Sequence, residues 1–164
     1  MFELRASTAT DAATLHEELA GMLSALLAGE RDPVANAANT SALLFQMLPD
    51  LNWAGFYFLR YGGELVLGPF QGKPACVRIA FGRGVCGAAV ARKQSMLVED
   101  VHSFPGHIAC DAASRSELVV PLLRDGEVLG VIDLDSPRPA RFTPADQAGL
   151  ERVAALYVAA SATP

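Results

Sequence analysis

Two apolar runs late in the chain, Leu118 to Leu123 and Val128 to Leu134, flank Arg124-Asp125-Gly126. Asp-Gly between such runs is a two-residue hairpin signal, because both central positions of the favoured turn need positive φ. Those runs must therefore lie side by side as antiparallel strands. Along the second of them a period of two sends Ile132 and Leu134 to one face and Asp133 and Asp135 to the other. Trp53 to Leu59 and Glu64 to Phe70, joined at Tyr61-Gly62-Gly63, form a second expected hairpin. Its first strand puts Trp53, Gly55 and Tyr57 on one face and Ala54, Phe56 and Phe58 on the other. Trp53 and Tyr57 could line the wall of a small pocket, with Gly55 leaving space between the rings.

Helices bracket these strands. Asp11 is the expected N-cap of a first helix, with Leu15, Leu19, Met22, Leu23, Leu26 and Leu27 at helical spacing. Pro33 opens a second that closes at Pro49-Asp50, and Thr143-Pro144 start a third that runs to about Val158. Between the hairpins come a short strand from Ala75 to Ile79, a helix from Ala88 to Arg92 and a strand from Ser95 to Val98. The glycines of Gly82-Arg83-Gly84-Val85-Cys86-Gly87 resemble a phosphate loop in spacing, but the lysine and hydroxyl of that loop are absent. A tight strand-to-helix turn is the simpler reading. The result is an α+β chain with a roughly six-stranded antiparallel sheet and helices packed on one face. One domain covers 1–164, with N-terminal helices at 11–48, sheet and loops at 51–136 and a C-terminal helix at 143–158.

Charge narrows the function. The chain has 164 residues, 13 of them Lys or Arg, and a net charge of −5 with no basic run, which disfavours nucleic acid and acidic membranes as partners. No apolar stretch reaches the ~18 residues of a membrane span. The Met-Phe-Glu-Leu-Arg start lacks the pattern of a signal peptide, so a cytoplasmic location is expected.

Chemistry concentrates on cysteine. Cys110 sits among small and polar residues in a loop, unlike a structural cysteine inside an apolar run, and the thiolate is the reactive form. Cys76, Cys86 and Cys110 form no C-x-x-C pair, so no metal site is expected. Reversible redox chemistry suits cytosolic thiols better. Glu117 starts the strand beside Asp133 and Asp135, so three acids could converge. Crowded carboxylates raise one another's pKa, which would let one act as a proton donor. His107 reads as an ordinary loop histidine and stays outside the expected site. The Glu99 to Cys110 loop is the candidate lid.

Several stretches resemble the GAF domain: Gly84-Val85-Cys86-Gly87-Ala88-Ala89, Val98-Glu99-Asp100-Val101, Ser116 to Leu122, Gly130 to Ser136 and Phe142-Thr143. One branch is more specific. Asn52-Trp53-Ala54-Gly55-Phe56-Tyr57, Gly68 to Cys76 and Phe104 to Asp111 resemble the free methionine-(R)-sulfoxide reductases, with all three cysteines in context. Thr143-Pro144 is a minor departure, standing where acidic residues are common. This resemblance implies a GAF-like fold that reduces free L-methionine (R)-sulfoxide to methionine, without a bound cofactor. Thioredoxin would be the external reductant, and a homodimer the assembly. It implies attack by Cys110, resolution by Cys76 and disulfide exchange through Cys86. Its pocket residues fall on Trp53, Tyr57, Glu117, Asp133 and Asp135. From the crowding of the acids, Glu117 or Asp135 is the expected proton donor. The alternative is a GAF-type small-ligand sensor. Against it, the Asn-Lys-x-Phe-Asp-Glu signature of cyclic-nucleotide binders is absent, and the chain ends about where the fold ends.

Overall fold

A computed structural model describes residues 7–108 and 111–164. In chain order the elements are α1 (Ala12–Leu26), α2 (Pro33–Met47), β1 (Trp53–Leu59), β2 (Leu65–Gly72), β3 (Arg78–Ile79), α3 (Gly84–Arg92), β4 (Met96–Val98), β5 (Ser116–Arg124), β6 (Glu127–Ser136) and α4 (Pro144–Ala160). A 3-10 turn, Val101–Ser103, interrupts the loop after β4. Among the described residues, six strands form one sheet in the order β3-β2-β1-β6-β5-β4, and every pairing is antiparallel.

The local signals act as expected. Asp125 and Gly126 take φ of 52° and 80°, the left-handed pair that closes the β5–β6 hairpin. The Asp11 side chain caps α1 through the Thr14 N–H, and Thr143 and Asp146 form a reciprocal capping box on α4. Asp32 caps α2 through the N–H groups of Val34 and Ala35.

Sheet alternation divides the protein into two cores. Ala54, Phe56 and Phe58 of β1, Leu118, Val120 and Leu122 of β5, and Ile132 and Leu134 of β6 face α1, α2 and α4. Burying each large apolar side chain there contributes about 1.5–3 kcal/mol. The other face can therefore carry polar groups whose burial is costly. Three helices share one face, as expected, but α3 lies on the opposite one. Val85, Cys86, Ala89 and Val90 pack it against Trp53, Tyr57, Val119 and Val131. The glycine motif serves this placement: a Cβ at Gly87 would lie 2.7 Å from the Ala80 carbonyl oxygen. It is a strand-to-helix turn.

The expected Ala75 to Ile79 strand shrinks to Arg78–Ile79. Pro74 has no N–H for a ladder, and the Cys76 carbonyl accepts a hydrogen bond from the Tyr57 hydroxyl instead.

Candidate active site

The pairing register assembles the site from two rows across the sheet. In the first, Trp53 of β1 lies opposite Asp135 of β6, which lies opposite Glu117 of β5. In the second, Gly55 lies opposite Asp133, which lies opposite Val119. Three carboxylates and an indole thus share one face, beneath α3 and the long loop. They line a cavity of about 40 Å³ together with Tyr57, Lys73, Cys86, His107, Asp111 and Ser114.

The aromatic wall differs from the expectation in one respect. No space remains beside Gly55, because Trp53 and Phe70 fill it. A Cβ there would lie 2.4 Å from the Phe70 Cβ and 2.6 Å from the Trp53 ring. The missing side chain lets Trp53 lie flat, stacked on Phe70 at 5.3 Å and on Tyr57 at 5.8 Å between ring centroids. Both polar tips reach the segment before β3. Trp53 Nε1–H donates to the Lys73 carbonyl at 3.2 Å, and the Tyr57 hydroxyl donates to the Cys76 carbonyl at 2.9 Å. The wall therefore also positions Cys76, which is disulfide-bonded.

Cys110 lies outside the described residues. The turn that follows it in sequence is tied down by groups that sequence reasoning missed. Asn52 Nδ2 donates to Ser114 Oγ at 3.0 Å and to Asp111 Oδ2 at 3.3 Å, and the Lys73 ammonium lies 3.3 Å from Asp111. Asp111 also accepts from the Ala113 N–H at 2.9 Å, which closes the turn locally. The Asp-x-x-Ser spacing was a readable turn signal. Its tether to Asn52, 62 residues away from Ser114, was not.

Burial governs the acids. Glu117 and Asp133 are each only 6% exposed, and their carboxyls are pushed well above the usual range, first by burial and then by their negative neighbours. Asp135 is pushed up by burial to about 7, with a hydrogen bond from Ser114 opposing the shift. The Asp133 carboxyl is hydrogen-bonded to that of Glu117, and its buried Oδ1 meets no N–H or hydroxyl donor. Cys86, on α3, donates its thiol proton to Asp133 Oδ2 at 3.4 Å. Burial, with Asp133 and Glu117 nearby, raises this thiol far above its ordinary value. It is held as a thiol, where a nucleophile needs a thiolate.

His107 belongs to the site, contrary to the sequence expectation. Its Nε2 stands 3.7 Å from Glu117 Oε2, and the ring is largely buried. Burial lowers its pKa, with His102 adding to the effect. A histidine in a Phe-Pro-Gly turn gave no sign that the turn folds back over β5.

The GAF domain profile matches residues 38–160. A free methionine-R-sulfoxide reductase from Escherichia coli is 59% identical over 132 residues, covering 80% of this chain and 79% of the relative. Protein YtsP of Bacillus subtilis is 55% identical over 140 residues, covering 85% and 86%. Among solved structures, the free methionine-R-sulfoxide reductase from Neisseria meningitidis, in complex with its substrate, superposes with a TM-score of 0.94 at 45% identity. That match covers 98% of this chain and 95% of the other. Among the described residues, no helix is long and apolar enough to cross a membrane.

Proposed function

The chain belongs to the free methionine-R-sulfoxide reductases, oxidoreductases built on the GAF domain, and from that premise we propose that it reduces free L-methionine (R)-sulfoxide through Cys110. The observation that carries this reading is the register. One row of the sheet sets Trp53, Asp135 and Glu117 side by side, and Asp133 stands in the next, all facing the Cys76 segment.

The Cys110 thiolate attacks the sulfoxide sulfur while a proton is delivered to the oxygen. Methionine leaves, and Cys110 holds a sulfenic acid. The Cys76 thiol displaces that hydroxyl as water, and the disulfide forms. A thioredoxin dithiol then reduces the disulfide and is itself oxidised, so the cycle calls for no bound cofactor and suits a reducing cytoplasm. The disulfide-bonded state of Cys76 supports this order.

Asp135 is the proton donor, because a carboxyl that titrates at about 7 holds a proton near neutral pH and can still give it up. Glu117 and the unpartnered Asp133 Oδ1 receive the substrate's ammonium. A peptide-bound residue lacks that ammonium and would leave buried acids unpaired, which rejects it. Trp53 and Tyr57 enclose the S-methyl end. Cys86 enters as a hydrogen-bond donor to Asp133; its burial makes it a poor relay thiol.

The test is thioredoxin-coupled NADPH oxidation with free methionine (R)-sulfoxide, the free (S) epimer and a peptide-bound sulfoxide. Turnover of the free (R) form alone supports the reading. No turnover by reduced protein would leave a GAF-type ligand sensor in its place.

A further inference from the structure

We propose that Val77, Phe81 and Tyr61, exposed around β3, form the surface on which a thioredoxin-class dithiol protein docks to reduce the Cys76 disulfide. The inference rests on the proposed function for the role of that disulfide. Among the described residues five large apolar side chains are exposed, and three of them are these: Val77 at 64%, Phe81 at 58% and Tyr61 entirely. Scattered singly they would need no explanation, but they gather at one edge of the sheet. β3 is the edge strand there, with β2 as its neighbour. Val77 precedes it and Phe81 follows it. A Cβ at Gly63 would lie 3.9 Å from the Phe81 Cβ, so the turn that carries Tyr61 abuts Phe81.

Exchange chemistry says what covers this edge. Cys76 is disulfide-bonded and half-buried, between exposed Pro74 and Val77. A thiolate of the partner attacks the Cys76 sulfur, the bond to Cys110 breaks, and Cys110 leaves with the electron pair. The partner's second thiol then attacks the partner's own sulfur in the mixed disulfide, and Cys76 leaves in turn. The two thiol protons pass to the released thiolates; the partner ends oxidised and this chain reduced. In the mixed disulfide the two Cα atoms stand about 5.5–6 Å apart, so the partner's backbone must lie alongside the neighbours of Cys76. Val77 is the next residue, and Phe81 lies at most ~18 Å away along the chain. An interface of about 800 Å² per partner spans ~30 Å, enough to cover this edge.

Charge adds a rim. Lys73 and Arg78 are paired with Asp111 and Glu64, whereas exposed Arg83, at the N-cap of α3, makes no cap hydrogen bond and no ion pair among the described residues. The fitting partner carries an apolar collar around its dithiol and a carboxylate outside that collar.

The test compares turnover of free methionine (R)-sulfoxide driven by thioredoxin with turnover driven by dithiothreitol, which needs no docking surface. In the Val77→Ser/Phe81→Ser protein the KM for thioredoxin should rise about tenfold or more. The KM for the sulfoxide and the dithiothreitol-driven rate should stay those of wild type. Arg83→Glu should raise the thioredoxin KM at low salt, and less so at high salt. The dithiothreitol-driven rate also reports folding, and Phe81→Ser alone serves if the double variant does not fold. An unchanged thioredoxin KM in the apolar variants overturns the surface, and in Arg83→Glu it overturns the charged rim. Wild type that dithiothreitol sustains and thioredoxin does not would overturn the choice of partner. If neither reductant sustains wild type, the proposed function itself fails, and the docking surface with it.

Discussion

Replacing Asp135 by Asn should stabilise the protein at alkaline pH. In the folded state the Asp135 carboxyl titrates at about 7, against an ordinary value of 3.8, because burial disfavours its charge. Between those values the folded chain holds a proton that the unfolded chain has released. Stability therefore falls as pH rises from about 4 to 7, and the full penalty applies above that. A shift of about three units corresponds to about 4 kcal/mol at 1.36 kcal/mol per unit. Asp135 is only partly buried, so water in the pocket relaxes some of this, and about 2–4 kcal/mol is expected. Asn keeps an oxygen for Ser114 and cannot ionise. Removing this charge also eases ionisation of Glu117 and Asp133, which feel it as a like charge. Urea unfolding of wild type and Asp135→Asn at pH 5, 6, 7 and 8 provides the measurement, with the denaturant slope held equal. The variant's advantage should be largest at pH 8 and shrink towards zero near pH 4, while turnover is lost. An equal difference at every pH, or a variant less stable at pH 8, would refute the linkage argument.

Other substitutions probe the remaining parts. Gly55→Val should cost at least about 1–3 kcal/mol, since its side chain would overlap Phe70 and the Trp53 ring; thermal unfolding and quenched tryptophan fluorescence report both effects. Asp146→Ala should cost about 3–5 kcal/mol, because Asp146 caps α4 and also pairs with buried His16 at 3.0 Å and Arg141 at 3.2 Å. Despite burial, hydrogen bonds from His16 and Thr143 hold the Asp146 carboxyl below the usual range, so its contribution should persist above pH 4 and fade on further acidification. The 40 Å³ cavity of the disulfide-bonded state has room for about one water, so calorimetry should show free methionine sulfoxide binding to reduced protein and not to oxidised protein.

What could be read from the sequence was local. Asp125-Gly126 specified its turn by φ alone, and alternation along β6 placed Asp133 and Asp135 opposite the core before any pairing was known. Thr143-Pro144 announced α4. Contacts between segments distant in sequence were not legible. α3 is short and apolar on the side it buries, and nothing in Val85, Cys86, Ala89 and Val90 says which face of the sheet receives them. The same holds for His107 over Glu117 and for Asn52 holding the turn of Asp111 and Ser114. Gly55 could be read as a gap, but only the fold shows that the Trp53 ring and Phe70 fill it.

The central claim is that Cys110 attacks and Cys76 resolves. A single turnover tests it: reduced Cys76→Ser protein is mixed with one equivalent of free methionine (R)-sulfoxide and quenched with a sulfenic-acid trap. One methionine should be released per chain, and peptide mass spectrometry should find the trapped adduct on Cys110 alone. Methionine released with the adduct on Cys86, or undiminished release by Cys110→Ser, would contradict the account.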